Sequence, residues 1–365
     1  MWTKGVFQKY VGIINNRNHY LNLEISRNYD ERISSLYGSI NQDELVASVM
    51  EYPSTLNQLY MSKMREFYHL SNSTYIFLGS GSESIICLLN QNILRDKKIA
   101  SVAPSFYRTI DTAMDCVTIE SDLNRRELFW DVSYIERECR RKGVNVVWVS
   151  NPNSIVGFGY SKKNLVEMLE KNTEVLFLID ETNIDFCRDS EKLTLIHEVD
   201  KHKNLVVIRS CSKFFGMPGA RVGMLLTSNE KIIKKCELVK PTFPVCGNSL
   251  LIGLKAYENF SLFRSLADEI ESAKAFIQKM MENAEGVTIY PSLINTIYLT
   301  SDSRDLWNEL KEEGILAMKY DESGHYSSVR ITIPSDKKIR ECMLQKFEAI
   351  FCMRRIDDGT FINSQ

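Results

Sequence analysis

The residues best suited to chemistry lie in one loop. Ser210–Cys211–Ser212–Lys213–Phe214–Phe215–Gly216–Met217–Pro218–Gly219–Ala220–Arg221–Val222–Gly223 holds one lysine and, eight positions on, one arginine. The apolar run Leu205–Val206–Val207–Ile208 leads into it and reads as a buried strand. A lysine at the end of such a strand is poorly placed as a solvated surface charge. Desolvation lowers the pKa of an amine and makes it a nucleophile toward carbonyls. The plain alternative is a lysine that extends from the strand end into water.

Other stretches favour the chemical reading. Gly79–Ser80–Gly81–Ser82–Glu83–Ser84 follows the apolar run Tyr75–Ile76–Phe77–Leu78 and precedes a helix with Ile85, Ile86, Leu88 and Leu89. Strand, small-residue turn and helix N-terminus together cradle a phosphate, because N–H groups and the helix dipole point at the anion. A dinucleotide fingerprint would place a third glycine where Ser84 stands, which counts against a nicotinamide-dependent oxidoreductase. Asp180 ends the run Leu176–Phe177–Leu178–Ile179, and a partly buried carboxylate needs a positive partner. A protonated pyridine nitrogen would serve. Phe106 can lie flat on a ring. Ser82, its neighbouring N–H groups, Ser210 and Arg221 can hold a phosphate, the arginine through its fork. An aldehyde, a pyridine nitrogen, an aromatic ring and a phosphate together describe pyridoxal 5′-phosphate, an electron sink that works while its ring nitrogen stays protonated.

These residues must be carried by a scaffold that gathers strand ends. Further strands are expected at Ile99–Val102, Cys116–Ile119, Val144–Ser150, Val175–Ile179 and Leu205–Ile208, with helices such as Ser133–Arg141 and Lys162–Lys171 between them. Apolar strands alternating with helices predict an α/β fold with a mostly parallel sheet covered on both faces. Ligands then gather outside the carboxyl ends of the strands. Gly81–Ser82, Pro104–Ser105–Phe106–Tyr107, Asn151–Pro152–Asn153, Asp180–Glu181 and Ser210–Lys213 all fall at such ends. Helical periodicity over 42–71 breaks at Tyr52–Pro53. After about residue 245 a long helical stretch gives way to short strands and helices. The division expected is an N-terminal arm over 1–40, a large cofactor-binding domain over 41–246 and a smaller α+β domain over 247–365, ending in a polar, mobile tail.

The totals bound the possibilities. The chain has 365 residues, 44% of them hydrophobic and 25% charged, as in an ordinary soluble protein. A net charge of −2 gives no argument for nucleic acid or a membrane surface. Nine scattered cysteines without a C-x-x-C pair fit reduced thiols. The opening Met1–Trp2–Thr3–Lys4 lacks a signal-peptide apolar core, so the expectation is a cytoplasmic enzyme. The five histidines are not grouped with carboxylates and no metal is assigned, although His325 and Tyr326 could line a substrate site.

Taken together, these pieces resemble a fold-type-I aminotransferase of the class I/II superfamily, in the branch of histidinol-phosphate aminotransferase and threonine-phosphate decarboxylase. The matching pieces run from Tyr52–Pro53 through Gly79–Glu83, Pro104–Phe106, Asn151–Gly157, Asp180–Glu181, Ser210–Lys213 and Arg221 to Val329–Arg330–Ile331–Thr332, covering roughly residues 50–335. The resemblance implies a mostly parallel seven-stranded sheet between helices, plus the smaller domain. Lys213 would form the Schiff base and shuttle the proton, and Asp180 would pair with the pyridinium. Phe106 would stack on the ring. Gly81, Ser82, the N–H of Glu83, Ser210 and Arg221 would hold the phosphate. Tyr52 would reach the phosphate of the other subunit, which implies a homodimer with shared sites. Arg330 would clamp the substrate α-carboxylate.

Two departures bear on the reaction. The family usually has Asn-Pro-x-Gly where this chain has Ser154–Ile155–Val156–Gly157, so a serine stands at the asparagine position, with Asn153 one residue earlier as a substitute. It usually has Asp-Glu-Ala-Tyr where this chain has Asp180–Glu181–Thr182–Asn183. Both usual partners of the ring hydroxyl oxygen are therefore changed. The first expectation is an aminotransferase acting on an amino acid or amino-phosphate compound with a 2-oxo acid acceptor. The alternative is a pyridoxal-phosphate lyase, most plausibly a decarboxylase. A non-catalytic regulator domain of this fold is disfavoured, because no basic helix-turn-helix segment precedes residue 40.

Overall fold

The computed structural model describes residues 20–355 and 361–363, apart from 27, 29, 121–131, 283 and 321–323. Residues 1–19 of the expected arm, and residues 356–360, 364 and 365 of the expected tail, lie outside the described residues.

A short strand β1 (Leu21–Asn22) opens the described chain. Helices follow at Glu31–Gly38, Gln42–Met50 and Ser54–Phe67, the last two separated at Tyr52–Pro53 as the proline predicts. The main sheet then takes β2 (Tyr75–Ser80), β3 (Lys98–Ala103), β4 (Asp115–Glu120), β5 (Val146–Ser150), β6 (Leu176–Asp180), β7 (Leu205–Ser210) and β8 (Val222–Thr227). Its order is β2-β8-β7-β6-β5-β3-β4, and only β8 runs antiparallel to its neighbours. The reversal of β8 puts its first residues on the edge where the other six strands end. Arg221, immediately before β8, is thereby carried to the same edge as Gly81, Asp180 and Lys213.

The apolar runs are strands because both of their faces are covered. Trp148, Leu178, Val206, Ile208 and Leu225 pack on one side with Ile85, Ile86 and Leu89 of the helix after β2. Their neighbours Val147, Val149, Ile179, Val207 and Leu226 pack on the other, in the larger core that also holds Phe214, Phe215 and Phe263. Alternation of side chains along each strand divides the two sets.

The later part of the chain holds helices at Gly247–Glu258 and Phe260–Met281, where one long helical stretch was expected. A second sheet has the order β12-β13-β10-β9, built from β9 (Thr288–Tyr290), β10 (Thr296–Ser301), β12 (Met318–Lys319) and β13 (Ser327–Thr332). Between them β11 (Ile315–Leu316) pairs in parallel with β1. The start of the described chain is thus anchored on the later part of the molecule. The expected mobile tail contains two further paired strands, β14 (Met353–Arg355) and β15 (Phe361–Asn363).

A buried ionic cluster ties the ends of β6 and β7 together. Arg209 Nε lies 2.9 Å from Glu181 Oε2 and Arg209 Nη1 lies 2.9 Å from Asp185 Oδ1. Thr194 Oγ1 and the Leu195 N–H donate to Glu181 at 2.7 and 2.6 Å. The Arg209 guanidinium also sits 5.1 Å over the Tyr68 ring. Burial pushes both carboxyl groups up, and the Arg209 guanidinium opposes it at each, with the more distant Arg264 adding to it at Asp185. Removing the Arg209 cation strands two buried carboxylates. Arg209→Met is therefore expected to destabilise the fold by about 3–5 kcal/mol, read as a lower urea midpoint. Adding Glu181→Gln should recover part of the loss, and equal stability of Arg209→Met and wild type would contradict this account.

Candidate active site

The phosphate end is built from a close backbone approach. Gly81 has φ of +78°, and a Cβ there would lie 2.7 Å from Arg221 Nη2. A Cβ on Gly223 would lie 2.5 Å from the Gly81 carbonyl carbon and 2.6 Å from the Ser82 nitrogen. Both positions therefore need glycine, one for conformation and space and the other for space alone. The helix Gly81–Leu88 starts here with no side chain capping it, which leaves its first N–H groups available to an anion. Arg221 has φ of +55°, a costly conformation for a residue with a side chain. Its guanidinium donates to Pro218 O at 3.2 Å and Ser80 O at 3.4 Å.

Glu83 contributes more than the backbone N–H foreseen for it. Its carboxylate lies 3.0 Å from Arg108 Nε and 3.7 Å from Arg221 Nη2. Ser210 is buried, with its hydroxyl 2.9 Å from Ser212 Oγ and accepting from the Ser212 N–H at 3.2 Å.

Asp180 is the last residue of β6 and is buried. Its Oδ1 accepts the Thr182 N–H at 3.0 Å and the Thr182 hydroxyl at 2.5 Å. Burial pushes the Asp180 carboxyl up, while the Thr182 bonds and the charge of Lys213 pull it down. Lys213 is half-buried in the loop after β7, and its Nζ donates to Ser26 O at 3.3 Å. The backbone beside it is held firmly. Phe214 and Phe215 are fully buried, Asn28 Nδ2 donates to Phe214 O at 2.6 Å, and Tyr37 OH donates to Phe215 O at 2.5 Å. Phe106 follows β3, packs on the edge of the apolar core and meets Tyr107 at 5.0 Å between ring centres.

Arg330 reaches the site from β13. Its Nη1 donates to Ser154 O at 3.1 Å and its Nη2 to Glu24 O at 2.9 Å. Its Nε is buried without a hydrogen-bond partner among the described residues, a donor suited to an incoming carboxylate. Residues 24–26 thus touch both the lysine and the arginine through main-chain carbonyls. The composition of this segment carries no sign of that role.

The expected substitutes at the ring-oxygen end fare differently. Asn153 is buried, accepts from the N–H groups of Ile155 and Val156 at 2.9 and 3.1 Å, and donates to Pro104 O at 2.7 Å. Its amide joins two strand-end loops, a structural task that competes with the ring contact expected of it. Ser154 is half-buried beside Arg330, and Asn183 is buried at the start of the short turn Ile184–Phe186. Tyr52 is 82% exposed and stacks on Phe243 at 5.6 Å. His325 does not join the site: it pairs with Asp302 at 2.9 Å, near the opposite end of β13 from Arg330.

The arrangement fits pyridoxal 5′-phosphate. A glycine cradle under an arginine and an uncapped helix suit the phosphate, a buried carboxylate with one oxygen satisfied suits the ring nitrogen, and a held lysine suits the aldehyde. Among the described residues no group of three or more His, Cys, Asp or Glu side chains could hold a metal ion.

Comparison with known proteins gives the same answer. The sequence profile of aminotransferase class I and II matches residues 11–343. Histidinol-phosphate aminotransferase of Thermoanaerobacter sp. (strain X514) is 28% identical over 267 residues, 72% of this chain and 74% of that protein. The crystal structure of histidinol-phosphate aminotransferase from Clostridium acetobutylicum superposes with a TM-score of 0.79 at 20% identity, covering 90% of this chain and 98% of that one. The L-threonine-O-3-phosphate decarboxylase of Porphyromonas gingivalis superposes with a TM-score of 0.70 at 16% identity, covering 90% and 98%. With a match over most of its length and the fold to go with it, this chain belongs to the class I and II aminotransferases, the fold-type-I enzymes that work with pyridoxal 5′-phosphate.

Proposed function

We propose that the protein is a pyridoxal-phosphate-dependent aminotransferase that takes its amino group from an amino acid or amino-phosphate compound and gives it to a 2-oxo acid. One observation carries this reading. Asp180 and Lys213 lie at the ends of adjacent parallel strands, on the edge where Arg221 closes over Gly81. When bound, the cofactor supplies an aldehyde for the amine and a conjugated ring that accepts electrons from the substrate Cα bond. The chain supplies the rest. Arg221, Gly81, Ser82, Ser210 and the first N–H groups of the helix hold the phosphate. Asp180 keeps the ring nitrogen protonated and Phe106 covers the ring. Lys213 Nζ takes the Cα proton and returns it. Arg330 orients the carboxylate with a two-pronged grip.

We also infer a homodimer. Val49 and Met50 on one helix, Leu59 on the next and Tyr52 in the link between them are exposed apolar residues, and Leu238 and Val239 lie close in sequence to Phe243, on which Tyr52 stacks. A second copy covering this strip would bury it and put Tyr52 at the partner's phosphate. The scattered cysteines without a C-x-x-C pair favour a reducing compartment, and we place the protein in the cytoplasm.

The second reading is a decarboxylase on the same scaffold. It is favoured by Thr182–Asn183 in place of the usual pair and by the Asn153 amide being engaged with the backbone. An absorption spectrum decides among these. A visible band with added pyridoxal phosphate, bleached by an amine substrate and restored by a 2-oxo acid, establishes transamination. A persistent band with release of carbon dioxide establishes the lyase. No band at all removes both.

Three outcomes are expected. Lys213→Ala should abolish the visible band and lower turnover by about a thousandfold or more, with the fold intact by circular dichroism. Arg330→Lys should raise KM for the 2-oxo acid by roughly 10-fold to 100-fold, as expected for losing a charge-assisted pair, with a smaller change in kcat. Val49→Glu combined with Leu238→Glu should shift sedimentation from dimer to monomer and weaken cofactor retention; unchanged sedimentation would refute the interface.

A further inference from the structure

One hydroxyl beside the proposed cofactor site departs from the family's usual residue. Where the family usually has alanine after Asp-Glu, the chain has Thr182, which is buried and turned back onto Asp180. Thr182 donates twice to the same oxygen, Asp180 Oδ1, from its N–H at 3.0 Å and its hydroxyl at 2.5 Å. Alanine would keep the first bond and lose the second. Oδ1 is thereby filled, which leaves Oδ2 as the oxygen for the ring nitrogen.

We propose that Thr182 is a positioning residue whose hydroxyl sets the basicity of Asp180, and so decides how fully the cofactor's ring nitrogen stays protonated. The proposal rests on the cofactor reading above. A hydrogen bond to a carboxylate stabilises its charged form and lowers its affinity for a proton. The proton shared between Asp180 and the ring nitrogen then stays on the nitrogen. Without the hydroxyl, Asp180 would be the stronger base and would hold the ring nitrogen less fully protonated, and Lys213 Nζ, once joined to bound cofactor, would keep its proton to higher pH.

The surrounding charges do not compensate. From the loop after β7 the charge acting on Asp180 is Lys213, which helps keep the carboxylate ionised. The adjacent Glu181 is engaged with Arg209, Thr194 and the Leu195 N–H, and Asp185 is paired with the same arginine. No other hydroxyl bond to Asp180 is recorded among the described residues beside that of Thr182. The threonine methyl group restricts its χ1, which holds the hydroxyl on its acceptor.

The test is a pH titration of the visible band in the pyridoxal-phosphate-loaded protein. Thr182→Val keeps the branched shape without the hydroxyl, and Thr182→Ala restores the usual family residue should valine fold poorly. Both are expected to move the midpoint upward by roughly half a pH unit or more, while Thr182→Ser, which keeps the donor, stays close to wild type. A purely structural threonine would change the melting temperature of the cofactor-free protein and leave the midpoint in place. Midpoints of Thr182→Val and Thr182→Ala equal to wild type, with the cofactor bound, overturn the proposal. A wild-type protein that forms no band with pyridoxal phosphate overturns the cofactor reading and this proposal together.

Discussion

The site depends first on one close approach between backbones. Strand β8 runs antiparallel between β2 and β7, and Gly223 near its start leaves room for the Gly81–Ser82 peptide to lie against it. That contact seats the N-terminus of the helix Gly81–Leu88 over the sheet edge. It also brings Arg221, strained into a left-handed conformation, against Gly81. A side chain at either glycine would push the helix start or the guanidinium away. The anion site is thus a consequence of strand direction and two missing Cβ atoms.

The remaining parts are arranged around charges that cannot be left alone in a dry interior. Asp180 and Glu181 are neighbours in sequence and both are buried, yet they face different surroundings. Glu181 is neutralised within the protein by Arg209 and by donors from the 194–195 turn. Among the described residues Asp180 has Thr182 on one oxygen and the charge of Lys213 acting on it, so its desolvation is incompletely offset there. A cationic ring nitrogen would complete that balance. The paired carboxylate braces the sheet edge, and the incompletely balanced one is the carboxylate we propose for the cofactor.

The N-terminal segment adds a constraint from outside the sheet. β1 pairs with β11, Asn28 and Tyr37 bind the main chain just after Lys213, and Glu24 and Ser26 offer carbonyls to Arg330 and Lys213. One short stretch therefore contacts the candidate nucleophile and the candidate carboxylate clamp together.

The sequence by itself determined the α/β class and the succession of buried strands along the chain, and it singled out Lys213, Asp180, Gly81 and Arg221 as candidates. The reason is local: continuous apolar runs mark strands covered on both faces, and chemistry-bearing residues sit directly after them. Only the tertiary structure decided the antiparallel course of β8, which follows from pairing partners and leaves no trace in its own apolar run. It also decided the roles of Ser26 and Glu24, whose bonds to Lys213 and Arg330 span 187 and 306 positions. Asn153 and Thr182 carry the same lesson. An amide or a hydroxyl can serve a ligand or the backbone, and which it serves depends on the donors and acceptors that the folded chain brings within 3 Å of it.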